Sequence, residues 1–163
     1  MGIASAPGAR WPRWQAALVG ALPDAVRGIY GPRLVSLLVS GSVARGTAGP
    51  DSDVDLFLVA RSLPPGRRSR VAEFAAVEAR LCGRSDEPIA LSPILRTPTE
   101  VDAGSWLFLD LTLDACLLVD EGDFMRSRLA RVAGKLAAVG AHREPYKGSW
   151  VWRIPPDPEL LRP

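Results

Sequence analysis

Two apolar runs, Leu34 to Val39 and Val54 to Ala60, constrain this chain more than anything else in it. Each has the length and composition of a buried strand. The first stops at Ser40-Gly41-Ser42, where a glycine lets the backbone approach a ligand with no Cβ in the way. The second opens on Asp53 and Asp55. Residues i and i+2 of an extended chain point to the same side, so these two carboxylates are expected to project together, with Val54 and Leu56 alternating between them. Paired carboxylates repel each other unless a cation lies between them. An oxygen-only donor pair suits a hard ion such as Mg²⁺, which binds through one or two carboxylates plus phosphate oxygens. Ser42 and the backbone N–H groups after Gly41, at the expected start of a short helix, supply an anion site. A phosphate cradle and a carboxylate pair separated by ten residues have the layout of a site that handles nucleotides.

The other features set bounds. A chain of 163 residues, 47% hydrophobic and 23% charged, is most simply one domain with a proper core. A net charge of +2 is too small to argue for nucleic acid. Its distribution says more, because Arg61, Arg67, Arg68, Arg70, Arg80 and Arg84 form one basic stretch and Arg126, Arg128, Arg131 and Lys135 another. Such stretches are first of all solvated helix faces, and second a docking surface for RNA or an acidic partner. Cys82 and Cys116 are far apart with no CxxC, which argues against a disulfide framework or zinc site and reads as two core thiols in a reducing cytosol. His142, the only histidine, reads as a surface loop residue. No apolar stretch reaches the ~20 residues that span a bilayer. The N-terminal segment has no signal-peptide core, so a cytoplasmic location without membrane contact is expected.

Along the chain, residues 1–11 and 155–163 are expected to be loose and 12–154 to form the domain. Trp14, Leu18, Leu22, Val26 and Tyr30 keep helical spacing across Pro23, which predicts a kink or two short helices sharing a face. After the two strands, Val71, Phe74, Val77 and Leu81 mark an amphipathic helix that Gly83 stops. Pro88 to Arg96 reads as a strand that Pro93 confines to a sheet edge or bulge. Thr97 to Glu100 reads as a helix start, Trp106 to Leu113 as mixed, and Cys116 to Val119 as a short strand. A helix follows over about Asp123 to Val139. Trp150, Trp152 and Ile154 alternate as in a strand. With five tryptophans in the chain, they read as sheet-edge core plugs or, second, as a platform for stacking bases.

Gly41-Ser42, ten residues, then Asp53-Val54-Asp55-Leu56 resembles the signature of the nucleotidyltransferase superfamily related to DNA polymerase β. The GSVARG and SDVDLFLV pieces are most similar to its minimal nucleotidyltransferase (MNT) branch. The resemblance implies an α/β (α+β) fold, a mixed β-sheet flanked by helices. It implies Mg²⁺ (or Mn²⁺) at Asp53 and Asp55, the metal-binding and catalytic pair, and a nucleoside triphosphate, ATP, with its phosphates on Gly41 and Ser42. Arg45 then neutralises phosphate charge or pairs with Asp51 or Asp53, and Ser52 orients Asp53 or caps its turn. The implied reaction moves AMP onto a hydroxyl. The implied partner is a helical toxin-type protein that the domain adenylylates or covers as an antitoxin. The resembling family also places a third carboxylate on a later strand, here near Ile89 to Leu95, where the sequence has Ala90, Ser92 and Ile94. Glu87, Asp110 and Asp114 are the acids nearest in sequence. Two rival functions follow: a degenerate nucleotide-binding or protein-interaction module, and a small-molecule, aminoglycoside-type nucleotidyltransferase.

Overall fold

Helices cover both faces of the central sheet, and its middle strands are accordingly apolar along nearly their whole length. The computed structural model describes residues 4–5, 13–49, 51–82, 90–147 and 149–155. In order, these form strand β1 (Ala4–Ser5), helix α1 (Arg13–Tyr30), a 3-10 turn (Gly31–Arg33), β2 (Leu34–Ser40), α2 (Gly41–Arg45) and β3 (Val54–Ala60). Next come α3 (Arg67–Leu81), β4 (Leu91–Arg96), α4 (Pro98–Asp102), α5 (Leu107–Asp114) and β5 (Ala115–Asp120). A 3-10 turn (Glu121–Asp123), α6 (Phe124–Ala138), β6 (His142–Tyr146) and β7 (Ser149–Arg153) complete the chain. The Trp14 side chain, Gly83, Glu87, Pro88 and the tail beyond Pro155 lie outside the described residues.

The sheet is mixed, ordered β1-β5-β2-β3-β4. β2 runs antiparallel to β3 and β5, β3 parallel to β4, and β1 parallel to β5. Alternation along β3 sorts its side chains between two cores. Val54, Leu56, Leu58 and Ala60 join Leu37 and Val39 of β2 under α1 and α3. Phe57 and Val59 join Leu38, Leu117, Phe108, Met125 and Leu129 under α5 and α6. Phe57 and Phe108 meet edge to face with ring centroids 5.9 Å apart. By the same alternation Asp55 belongs to the α5 side of the sheet.

Where the structure departs from expectation, tertiary packing is the reason. Helix α1 passes through Pro23 as one element, because Leu18, Val19, Leu22, Ala25 and Val26 continue a single buried face on either side. Val71 faces solvent at 41% exposure, and the apolar face that α3 buries against the sheet is Phe74, Val77 and Leu81. Cys82 is exposed, since Leu81 takes the last buried position of that helix; only Cys116 is a core thiol. Leu107–Asp114 alternates like a strand in sequence but folds as α5, burying Phe108, Leu111 and Asp114 on one side. His142 begins a strand instead of sitting in a loop, and the tail is a β6–β7 hairpin rather than a single strand. β4 with its Pro93 is indeed a sheet edge. Three members of the basic stretches pair with acids that lie between or beside them: Arg61 with Glu121, Arg70 with Glu100 and Arg128 with Asp102.

One carboxylate ties the sheet to α6. Asp120, at the end of β5, accepts a 2.5 Å hydrogen bond from the buried Ser36 hydroxyl of β2. It also accepts from the backbone N–H groups of Met125 and Arg126, at 2.8 and 2.9 Å. It therefore caps a helix whose first residue lies four positions further on. Asp120→Ala strands those donors and the Ser36 hydroxyl together. Chemical denaturation is expected to show a loss of about 2–3 kcal/mol.

Candidate active site

The site is built where β2 ends and β3 begins. Antiparallel register sets Ser40 opposite Asp55 and Val39 opposite Leu56, so the turn after β2 comes up against the start of β3. Gly41 has φ +67°, a conformation that L side chains rarely adopt. A Cβ on it would lie 2.2 Å from the Asp55 Oδ2 atom. Glycine is therefore required twice over, once by the backbone and once by the carboxylate behind it. α2 then runs for five residues and ends on Gly46 in the left-handed conformation.

Asp55 is half-buried, and its pKa is raised: burial disfavours the charge most, the Asp53 carboxylate adds to this, and Arg45 opposes both. Asp53 itself stands exposed in the turn one residue before β3. It is near enough for its charge to be felt at Asp55. Ser52 accepts a hydrogen bond from the Gly49 N–H at 3.0 Å, which spends its hydroxyl on the loop that delivers Asp53. Ser42 keeps its hydroxyl free of hydrogen bonds among the described residues, while its carbonyl accepts from the Thr47 N–H at 2.9 Å.

Beside Asp55 lies a cavity of about 370 Å³ whose lining includes Gly41, Arg45, Ile94, Asp110, Asp114, Arg143 and Trp150. Of the residues singled out in the sequence, Gly41, Arg45 and Asp55 line it; Ser42, Ser52 and Asp53 do not. Arg45 takes neither of the loop acids suggested for it. Its Nη1 donates to Asp114 Oδ2 at 2.8 Å, across to α5.

Asp114, named in sequence only as one of the acids nearest to the expected third carboxylate, sits at the end of α5 with its side chain 8% exposed. Arg143 of β6 grips both its oxygens, with Nη2 donating to Oδ1 at 2.9 Å. Burial alone would push the Asp114 pKa up, but the hydrogen bonds from Arg143 and Arg45 outweigh it and hold the carboxyl below its usual range. Asp110, one helical turn earlier, accepts from Trp152 Nε1 at 2.9 Å and lies 3.6 Å from Arg143. Both acids are thus taken up by cationic or donor groups. Ser92 of β4 stands opposite Asp55 in the parallel register, where a third carboxylate would fall. Among the described residues no three acids, histidines or cysteines gather into a group able to hold a metal ion. Arg143 is the site residue that the sequence did not reveal, and Trp150, read there first as a core plug and second as a stacking platform, is exposed at the cavity. Asp110 and Asp114, four apart on one helix face, are the signal that something basic must dock there.

The nucleotidyltransferase domain model matches residues 22–95, which contain the turn and both aspartates. A Methanocaldococcus jannaschii protein, MJ1305, whose name gives it provisionally as a protein adenylyltransferase, is 31% identical over 105 residues, 63% of this chain and 70% of that one. The chain belongs to the nucleotidyltransferase family. A chain of the MntA–HpeT toxin–antitoxin complex, in mutant form, superposes on this nucleotidyltransferase with TM-score 0.51 and 13% identity. That match covers 74% of this chain and 90% of the other, and it places the fold with the MNT structures. A toxin–antitoxin structure with AMP-PNP gives TM-score 0.49 at 18% identity, over 74% and 90% of the two chains. No described helix is long and apolar enough to cross a membrane.

Two outcomes test the geometry. Gly41→Ala forces a side chain into left-handed backbone and onto Asp55, and a loss of at least about 1–2 kcal/mol in thermal or urea unfolding is expected. Asp114→Asn leaves Arg45 and Arg143 beside a neutral amide, and should destabilise by about 3 kcal/mol at neutral pH. The sign of its pH dependence follows from the lowered pKa. Stabilisation by Asp114 is complete above the unfolded carboxylate range, about pH 4, and is lost as pH falls through the folded value. Acid unfolding of the wild type should therefore be steeper there than that of the variant.

Proposed function

We propose that this nucleotidyltransferase moves AMP from ATP onto a hydroxyl of a partner protein, with Mg²⁺ (or Mn²⁺) at Asp53 and Asp55. The observation that carries this reading is Asp55 itself. A half-buried carboxylate whose charge is disfavoured by burial and by a second carboxylate, set against a glycine turn, is costly unless a cation is shared. Two carboxylate donors without a third fit an ion that completes its shell with phosphate oxygens and water. When bound, such an ion neutralises triphosphate charge and aligns the reacting oxygens.

The chain's own groups do the rest. Gly41 offers the phosphates a backbone with no Cβ, Arg45 lines the same cavity, and Ser42, next to Gly41, carries a hydroxyl that is uncommitted among the described residues. Asp53, at the exposed rim, and Asp55, behind the turn, fix where the α-phosphate lies. The acceptor hydroxyl loses its proton as its oxygen bonds to phosphorus, and the bond to pyrophosphate breaks. The protein acceptor is favoured by the MJ1305 name. A toxin-type acceptor is suggested by the MntA–HpeT complex, the fold neighbour.

A second reading is favoured by the two arginines on Asp114 and by the serine opposite Asp55. Without a third acid, the domain binds Mg²⁺–nucleotide and covers its partner without transferring anything. One experiment separates the two. With α-labelled ATP, Mg²⁺ and the protein encoded beside this one, the transfer reading expects label on the partner and release of pyrophosphate. Asp53→Asn and Asp55→Asn should reduce both to the level of the enzyme-free control. Bound nucleotide with no pyrophosphate from any acceptor establishes the second reading instead. In the absence of metal, Asp55→Asn is expected to melt above the wild type, since it removes the repulsion with Asp53; Mg²⁺ should raise the wild-type melting temperature and leave the variant's unchanged.

A further inference from the structure

We infer that Trp150 is the surface on which the base of the nucleotide stacks, and that the β6–β7 hairpin is the base-recognising element of the site. This deepens the proposed function and rests on it. Trp150 lines the same cavity as Gly41, Arg45 and Asp55, yet it comes from the far end of the chain. Trp150 is 52% exposed, which leaves a large apolar surface open to a ligand. The Arg143 guanidinium lies 5.0 Å from the ring centroid. Arg143 is itself fixed by Asp114, so the ring is braced before any ligand arrives.

The cavity lining combines two kinds of group. Gly41, Arg45 and Asp55 are suited to a phosphate chain and its cation. Trp150 and Ile94, which is 37% exposed, add apolar surface to the same lining. Two of the few large apolar side chains that the described surface leaves open thus face one cavity. A nucleotide calls for the same combination, a charged phosphate chain and a flat, apolar base. A volume of about 370 Å³ lies within the range of small-ligand pockets. Trp152 plays a different part, since its indole N–H donates to Asp110 at 2.9 Å and anchors the hairpin to α5. The hairpin therefore has one tryptophan for attachment and one left over for a ligand.

Binding of Mg²⁺–ATP and of Mg²⁺–tripolyphosphate, which has no base, tests this on the full chain by isothermal titration. Trp150→Ala should weaken ATP about five- to 150-fold, the range for loss of one base stack, and leave tripolyphosphate unchanged. Trp150→Phe should recover most of the ATP affinity. If Trp150→Ala does not fold, Phe is compared with Leu, and the ring should still give the tighter binding of ATP. Equal ATP affinity in wild type and Trp150→Ala, or equal affinity in Phe and Leu, overturns the inference and leaves the proposed function standing. A parallel loss of ATP and tripolyphosphate also overturns it, by placing Trp150 on the phosphate side. Failure of the wild type to bind either ligand overturns both readings.

Discussion

The register of β2 against β3 is the constraint on which the site depends. Setting Ser40 opposite Asp55 brings the turn after one strand against the first residues of the next, although residues 41–53, α2 among them, separate the two strands. A slip of one residue would turn Asp55 into the apolar core under α1 and bring Val54 or Leu56 to the cavity. That slip is opposed on both faces at once, because Leu37, Val39, Leu56 and Leu58 fill one core while Leu38, Phe57 and Val59 fill the other. Burial on two sides, which the long apolar runs reflect, is thus what holds two carboxylates in place despite their repulsion.

Asp114 does for the second half of the site what the register does for the first. It joins three elements distant in sequence: α2 through Arg45, its own helix α5, and the hairpin through Arg143. Buried ion pairs are weak as net stabilisers but strict about geometry, since any partner left alone in a low dielectric is expensive. The triad therefore acts less as a source of stability than as a fixture that keeps the hairpin over the cavity.

How far the sequence could be read depended on how local the information was. The turn, the two aspartates and their strands were legible because Gly41, Asp53 and Asp55 lie close together in sequence and are flanked by two apolar runs. The helix start at Thr97 to Glu100 was legible for the same reason, and the structure adds that both hydrogen bonds of a capping box are present there. α5 was not, since LFLDLTLD alternates like a strand and only its packing against Phe57 decides otherwise. The partners of Asp114 were illegible too. Nothing near position 114 points to an arginine 29 residues later or one 69 residues earlier. Trp150 and Trp152 looked interchangeable in sequence, and only the three-dimensional arrangement separates an anchored indole from an exposed one.

The edge of the sheet has a consequence for how anything large can approach. On β4, Pro93 offers no N–H, and the Leu95 carbonyl already accepts from Arg70 at 3.1 Å and Arg96 at 3.3 Å. The β4 border is therefore ill-suited to templating an added strand from another chain. A visiting polypeptide reaching that border finds side chains to contact and few free backbone groups to pair with.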